Sequence, residues 1–161
     1  MLDTTCGLGR DTMHLAARGI EVVALERNRV MFELLSDALL RARADDLLAP
    51  IVARIRLQCA DAHDWLSHCA DDNRPDAIII DPMFHDPSSK SAVKRESAIL
   101  RALVPNDTDA IALVEPAIRV ARHRVAVKRS RRGNALWGAP DMSINGRSVR
   151  FDVYLRSSTP T

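Results

Sequence analysis

Residues 75–82, "PDAIIIDP", set an apolar run between two acids and two prolines. A run without polar alternation suits a strand buried on both faces, the environment of a central parallel strand. Parallel neighbours need crossover connections, usually helical, so strands and helices should alternate around it. They do. "EVVALE" (21–26), "RIRLQCA" (54–60) and "RVAVKR" (124–129) read as further strands, and "MLD" as the end of a first one. Between them, "RDTMHLAAR" is helical, with Gly19 where a C-cap belongs. "RVMFELLSDALLRARA" predicts a helix with Val30, Leu34, Leu35, Ala38, Leu39 and Ala42 along one face. "HDWLSHCA" predicts a short helix, and "SSKSAVKRESAILRALV" another, with Ser88 or Ser89 as N-cap. "DTDAIALVEPAIRVAR" is amphipathic, and Pro116 either kinks or splits it. "MSING" and "SVRFDVYL" alternate around Asn145-Gly146, a hairpin signal. The expectation is a doubly wound α/β domain over 1–161: a mostly parallel, Rossmann-like sheet with an antiparallel C-terminal hairpin strand.

Length and composition agree with one ordinary globular domain, at 161 residues, 47% apolar and 27% charged. No apolar run reaches spanning length and no signal-peptide pattern appears, so the expected location is the cytoplasm, away from membranes. Cys6, Cys59 and Cys69 form no C-x-x-C pair, and His63 and His68 do not share a helix face. Neither a disulfide framework nor a metal site is expected. A βαβ unit should supply more apolar residues before "MLD", so the chain reads as a fragment lacking most of its first strand and an N-terminal region, or as one with a wrongly assigned start. Net charge is only +2, but "IRVARHRVAVKRSRR" (118–132) carries seven Arg or Lys and no acid. Taken alone, such a block reads as a solvated face.

The first loop, "LDTTCGLGRD", puts Gly7 and Gly9 four and six residues after Asp3. Glycines there let the chain turn sharply and approach a ligand at the N-terminus of the next helix. The dinucleotide fingerprint requires a third glycine at the position of Thr12, which argues against a nicotinamide-dependent oxidoreductase. Glu26 ends the second strand, where a carboxylate can accept bonds from ribose hydroxyls, with Arg27 beside it to lie over an adenine or pair on the surface. Asp61 ends the third, where its side chain and the Ala62 amide can address an adenine edge. Three acids at successive strand tips behind a glycine loop point to a nucleoside-like ligand, because open α/β sheets bind ligands at those ends.

"DPMF" (81–84) follows the buried strand and resembles the [Asp/Asn]-Pro-Pro-[Phe/Tyr] motif of amino-group methyltransferases, with Met83 in place of the second proline. An exocyclic amine is a poor nucleophile, because its lone pair is delocalised into the ring. The Asp81 carboxylate and Pro82 carbonyl can accept its N–H bonds, aim the lone pair at a methyl sulfonium and stabilise the developing positive charge. Phe84 would stack on the target base.

Together, "LDTTCGLGRD", "ALERN", "IIIDPMF", "KSAVKRE", "LVEPA", "VAVKR" and "RFDVYL" resemble, in order and spacing, the ribosomal RNA small subunit methyltransferase J family. The resemblance covers nearly the whole chain. It implies a class I S-adenosylmethionine-dependent methyltransferase fold and methyl transfer to the exocyclic N2 of a guanosine in 16S rRNA. It implies cofactor contacts from Arg10 and Asp11 as well as from Glu26, Arg27, Asp61, Ala62 and Asp81. For Arg10 and Asp11 the residues themselves indicate only a helix start. Two departures stand out: the family's N-terminal third is missing, and Asp61 replaces a small hydroxyl residue of some relatives. With rRNA or the small ribosomal subunit as partner, the basic residues Lys90, Lys94, Arg95, Lys128, Arg129, Arg131 and Arg132 become candidate phosphate contacts. The alternatives are a DNA or other RNA amino-methyltransferase, which would share the tip chemistry, and a non-catalytic RNA-binding fragment.

Overall fold

The computed structural model describes residues 1–82 and 110–156. The expected helix at "SSKSAVKRESAILRALV", with Ser88 and Ser89, lies outside them. Seven described strands form one sheet in the order β3-β2-β1-β4-β5-β7-β6. They are β1 (Leu2–Asp3), β2 (Val22–Glu26), β3 (Ile55–Cys59), β4 (Ala77–Ile80), β5 (Arg124–Ser130), β6 (Met142–Asn145) and β7 (Val149–Leu155). β1 to β5 run parallel, and β7 pairs antiparallel with both β5 and β6. The hairpin closes where the Gly146 amide donates to the Val149 carbonyl at 2.8 Å. This is the predicted architecture. From β1 the chain winds outward through β2 and β3, then returns to lay β4 on the other side of β1. That reversal opens a crevice beyond the carboxyl ends of β1 and β4.

All four residues of β4 are buried, as the apolar run requires. Side chains alternate across the sheet, so Leu25 and Ala24 enter different cores. Leu25 joins Leu66 of α4 (Ala62–Ser67) and Val114 of α5 (Ala110–Val120). Ala24 joins Ala16 of α1 (Arg10–Ala17), Leu35 of α2 (Arg29–Ala42) and Val52 of α3 (Ala49–Val52). The short α3 was not expected; Pro50 in its first turn is compatible with a helix start.

The α2 face differs from its expected composition. Met31, Leu35 and Leu39 are buried, whereas Val30 and Leu34 are about half exposed. The helical period was right: Leu35 and Leu39 enter the core and Ala42 packs against it, while Met31 replaces Val30 and Leu34 on the buried face. Asn28 sets this phase by capping α2, its side chain accepting from the Val30 and Met31 amides at 3.0 and 3.2 Å. Pro116 leaves α5 as one helix. At its C-terminal end, the Arg74 guanidinium donates to the Val120 carbonyl at 2.8 Å and to that of Arg119. Among the described residues no helix is long and apolar enough to cross a membrane.

Candidate functional site

The glycine loop turns through two left-handed residues, Gly7 at φ 53° and Gly9 at φ 73°. A β-carbon on Gly9 would also come within 2.8 Å of Leu35 Cδ1, so glycine lets the loop close onto α2. Three threonines then tie the loop to the strand tips. Thr4 donates through Oγ1 to the Ile79 carbonyl at 3.0 Å. Thr5 accepts the Asp81 amide on Oγ1 at 2.8 Å, fixing the backbone where β4 ends. Thr12, at the position the dinucleotide fingerprint gives to glycine, donates its hydroxyl to Asp3 Oδ2 at 2.6 Å. Asp3 Oδ1 takes the Thr5 amide at 3.2 Å.

Burial pushes the Asp3 carboxyl up to about 6, although the bonds from Thr12 and Thr5 oppose the rise. Its folded pKa therefore lies above its unfolded value near 3.8. Asp3 favours the fold most when protonated, and that contribution is lost as pH rises from about 4 through about 6. The difference corresponds to about 3 kcal/mol. Asp3→Asn should thus gain stability relative to the parent between pH 4 and 7, by up to that amount, in paired urea titrations. A difference that stays constant across this range would contradict the assignment.

Glu26, at the end of β2, accepts the Gly7 amide on Oε2 at 3.0 Å and the Asn28 amide on Oε1 at 2.7 Å. It thereby joins the glycine loop to the start of α2. Each carboxylate oxygen has further lone pairs, so ribose hydroxyls can still be accepted. Asp61 caps α4 through Oδ1, accepting the His63 amide at 2.8 Å and the Asp64 amide at 3.4 Å. Its Oδ2 lies 3.7 Å from Arg27 Nη1 in a partly exposed pair. Ala62 is buried at the start of α4.

The centre of the crevice is a cavity of about 190 Å³ whose walls include Thr5, Arg10, Asp11, Asp81 and Lys128. Lys128 Nζ lies 2.8 Å from Asp11 Oδ2 and 2.7 Å from Asp81 Oδ2. Burial raises the Asp81 pKa, and its bond to Lys128 pulls it back toward the ionised form. Burial disfavours the Lys128 ammonium too, but its bonds to the two acids outweigh this and raise its pKa.

The structure therefore brings Gly7, Gly9, Arg10, Asp11, Asp81 and Lys128 together, with Glu26 bonded to the loop, Arg27 next to it in the chain, and Asp61 and Ala62 one strand further out. Lys128, a phosphate candidate in the sequence, turns into the crevice. Arg129 donates to the Asn134 carbonyl at 2.6 and 2.9 Å, and Arg131 and Arg132 are exposed beyond β5. Pro82 is buried. Phe84, Lys90, Lys94 and Arg95 lie outside the described residues. The sequence reading missed the parts played by Thr5, Thr12 and Lys128. Strand register held the signal for the last: with Ile80 opposite Val127, the next pair is Asp81 and Lys128.

The sheet order, glycine loop and acid-tipped strands define a class I methyltransferase fold. A family model for putative S-adenosylmethionine-dependent methyltransferases matches residues 1–156, and the chain belongs to that family. It is 44% identical over 156 residues to the ribosomal RNA small subunit methyltransferase J of Thioalkalivibrio sulfidiphilus, covering 96% of this chain and 61% of the relative. The corresponding protein of Dechloromonas aromatica is 42% identical over 160 residues, covering 98% and 64%. The chain thus spans about three-fifths of the length of these curated relatives. A crystal structure of a methyltransferase from Neisseria gonorrhoeae superimposes with a TM-score of 0.80 at 34% identity, covering 99% of this chain and 62% of that one. The rRNA methyltransferase AviRa of Streptomyces viridochromogenes shares the fold, with a TM-score of 0.63 at 14% identity.

Proposed function

We propose that the chain carries the catalytic domain of a cytoplasmic enzyme that methylates the exocyclic N2 of a guanosine in small-subunit ribosomal RNA. The observation that carries this reading is the position of Asp81. It ends the buried β4, faces the glycine loop across the cavity, and has its amide fixed by Thr5.

The residues fit S-adenosylmethionine by charge and shape. Arg10 and Asp11 on the cavity wall offer one charge of each sign to its zwitterionic methionine part, and the turn at Gly7, with open space where a β-carbon would stand, admits close approach. Glu26 and the Asp61–Ala62 corner suit its ribose and adenine, with Arg27 alongside; Arg10 and Asp11 suit its methionine part. Bound there, the cofactor supplies an electrophilic methyl group. Asp81 and the Pro82 carbonyl accept the guanine N–H bonds and direct the nitrogen lone pair. The Asp81 carboxylate offsets the positive charge that grows on that nitrogen, and the surplus proton passes to solvent. Phe84 stacks on the base, while Lys90, Lys94, Arg95, Arg129, Arg131 and Arg132 meet phosphates.

Methyl-labelled cofactor offered with small ribosomal subunits, naked rRNA and duplex DNA tests the reading. Label should appear in rRNA and digest to N2-methylguanosine. Label in DNA adenine or cytosine would instead establish the DNA amino-methyltransferase alternative.

A further inference from the structure

One cation, Lys128, bridges two acids that approach the cavity from different elements. Asp11 stands in the first turn of α1, and Asp81 follows β4. Lys128 comes from β5 and is itself mostly buried, with 22% of its side chain exposed. The two bonds are short and nearly equal, at 2.8 and 2.7 Å. A lysine bound this way is poorly placed to serve a phosphate, because leaving would strand two partly buried carboxylates beside each other.

We propose that Lys128 is a positioning residue for methyl transfer: its ammonium, shared by Oδ2 of Asp11 and Oδ2 of Asp81, fixes the amine acceptor against the cofactor side of the crevice. This rests on the methyltransferase reading above. Held by Oδ2, the Asp81 carboxylate cannot rotate freely, and its Oδ1 is presented to an incoming N–H. The same ammonium favours the ionised form of Asp81, where burial and the facing Asp11 both favour protonation. Among the described residues, the other charged groups facing this point are Asp3 on β1 and Arg10 on the cavity wall. Lys128 thereby couples the two halves of the site, because the acid assigned to the cofactor and the acid assigned to the target amine share one partner.

The test uses Lys128→Met, which keeps length and bulk without charge, and Lys128→Arg, which keeps the charge. Carboxyl-carbon NMR titration of the ligand-free chain reads Asp81 directly. Its midpoint should rise in Lys128→Met and fall back in Lys128→Arg. In methyl-transfer assays on ribosomal subunits, Lys128→Met should lower kcat about tenfold, and by more at pH 6 than at pH 8. KM for RNA should stay near the parental value, and Lys128→Arg should restore part of kcat.

An unmoved Asp81 midpoint overturns the proposal. So does a Lys128→Met variant that only weakens RNA binding and flattens its salt dependence, which would make Lys128 a phosphate contact after all. If the parent chain binds no S-adenosylhomocysteine and methylates nothing, the methyltransferase reading falls and takes this role with it. A parent that binds and methylates while Asp81 titrates alike in parent and variant removes the Lys128 role alone.

Discussion

Asp81→Ala should lower methyl transfer to small ribosomal subunits by about a hundredfold to a thousandfold while leaving cofactor affinity within a few-fold of the parent. The magnitude is that of removing one preorganised electrostatic partner from a charge-developing transition state. The selectivity follows from geometry. Asp81 is one of several groups placed to hold the cofactor, whereas it supplies the only side-chain acceptor assigned to the target amine. The fold should survive, because Lys128 keeps Asp11 as a partner at 2.8 Å and the backbone amide of residue 81 still donates to Thr5 Oγ1. Asp81→Asn retains one carbonyl acceptor but loses the charge, and should fall between parent and alanine variant. Single-turnover transfer together with calorimetric binding of S-adenosylhomocysteine separates the two effects. Parental kcat in Asp81→Ala would end the proposed role of this tip.

Much of this site was legible in the chain because its parts lie at strand ends, which local patterns mark. The run at 77–80 announced a central strand and so placed Asp81 at a tip. Gly7 and Gly9 announced a turn that only residues without a β-carbon adopt easily. Contacts made across the sheet were not legible. Lys128 is 117 residues from Asp11 and 47 from Asp81, and only strand order and register bring the three together. Thr12 first counts as a missing glycine, yet its hydroxyl is held by Asp3, a relation that exists only once α1 has folded over β1. The α2 face was only partly assigned for a similar reason. Periodicity finds a stripe, but the sheet decides which neighbouring apolar residues remain outside, as Val30 and Leu34 do.

The second large effect is expected far from the crevice, at Asp152→Ala, which should destabilise the fold by about 3 kcal/mol in urea titrations at pH 7. Asp152 is completely buried in β7. Its Oδ1 accepts Arg150 Nε at 2.8 Å and Ser143 Oγ at 2.7 Å, and its Oδ2 accepts Arg150 Nη2 at 2.9 Å. Truncation would leave a mostly covered guanidinium without its counter-charge, costlier than never having built the pair. Asp152→Asn keeps an acceptor for Ser143 and should lose less.

The pH dependence follows from the same bonds. Arg150 holds the Asp152 carboxyl below the usual carboxylate range, so its contribution is present above the unfolded value near 4 and vanishes as pH falls through the folded one. The gap between parent and Asp152→Ala should therefore narrow below pH 4, and a gap independent of pH would rule out the ion pair as its source. The consequence reaches the crevice, since β7 pairs with β5 along its whole length and Phe151 lies opposite Lys128. Loosening the hairpin frees the strand that carries the lysine, so transfer in Asp152→Ala should decline at temperatures below its global unfolding transition.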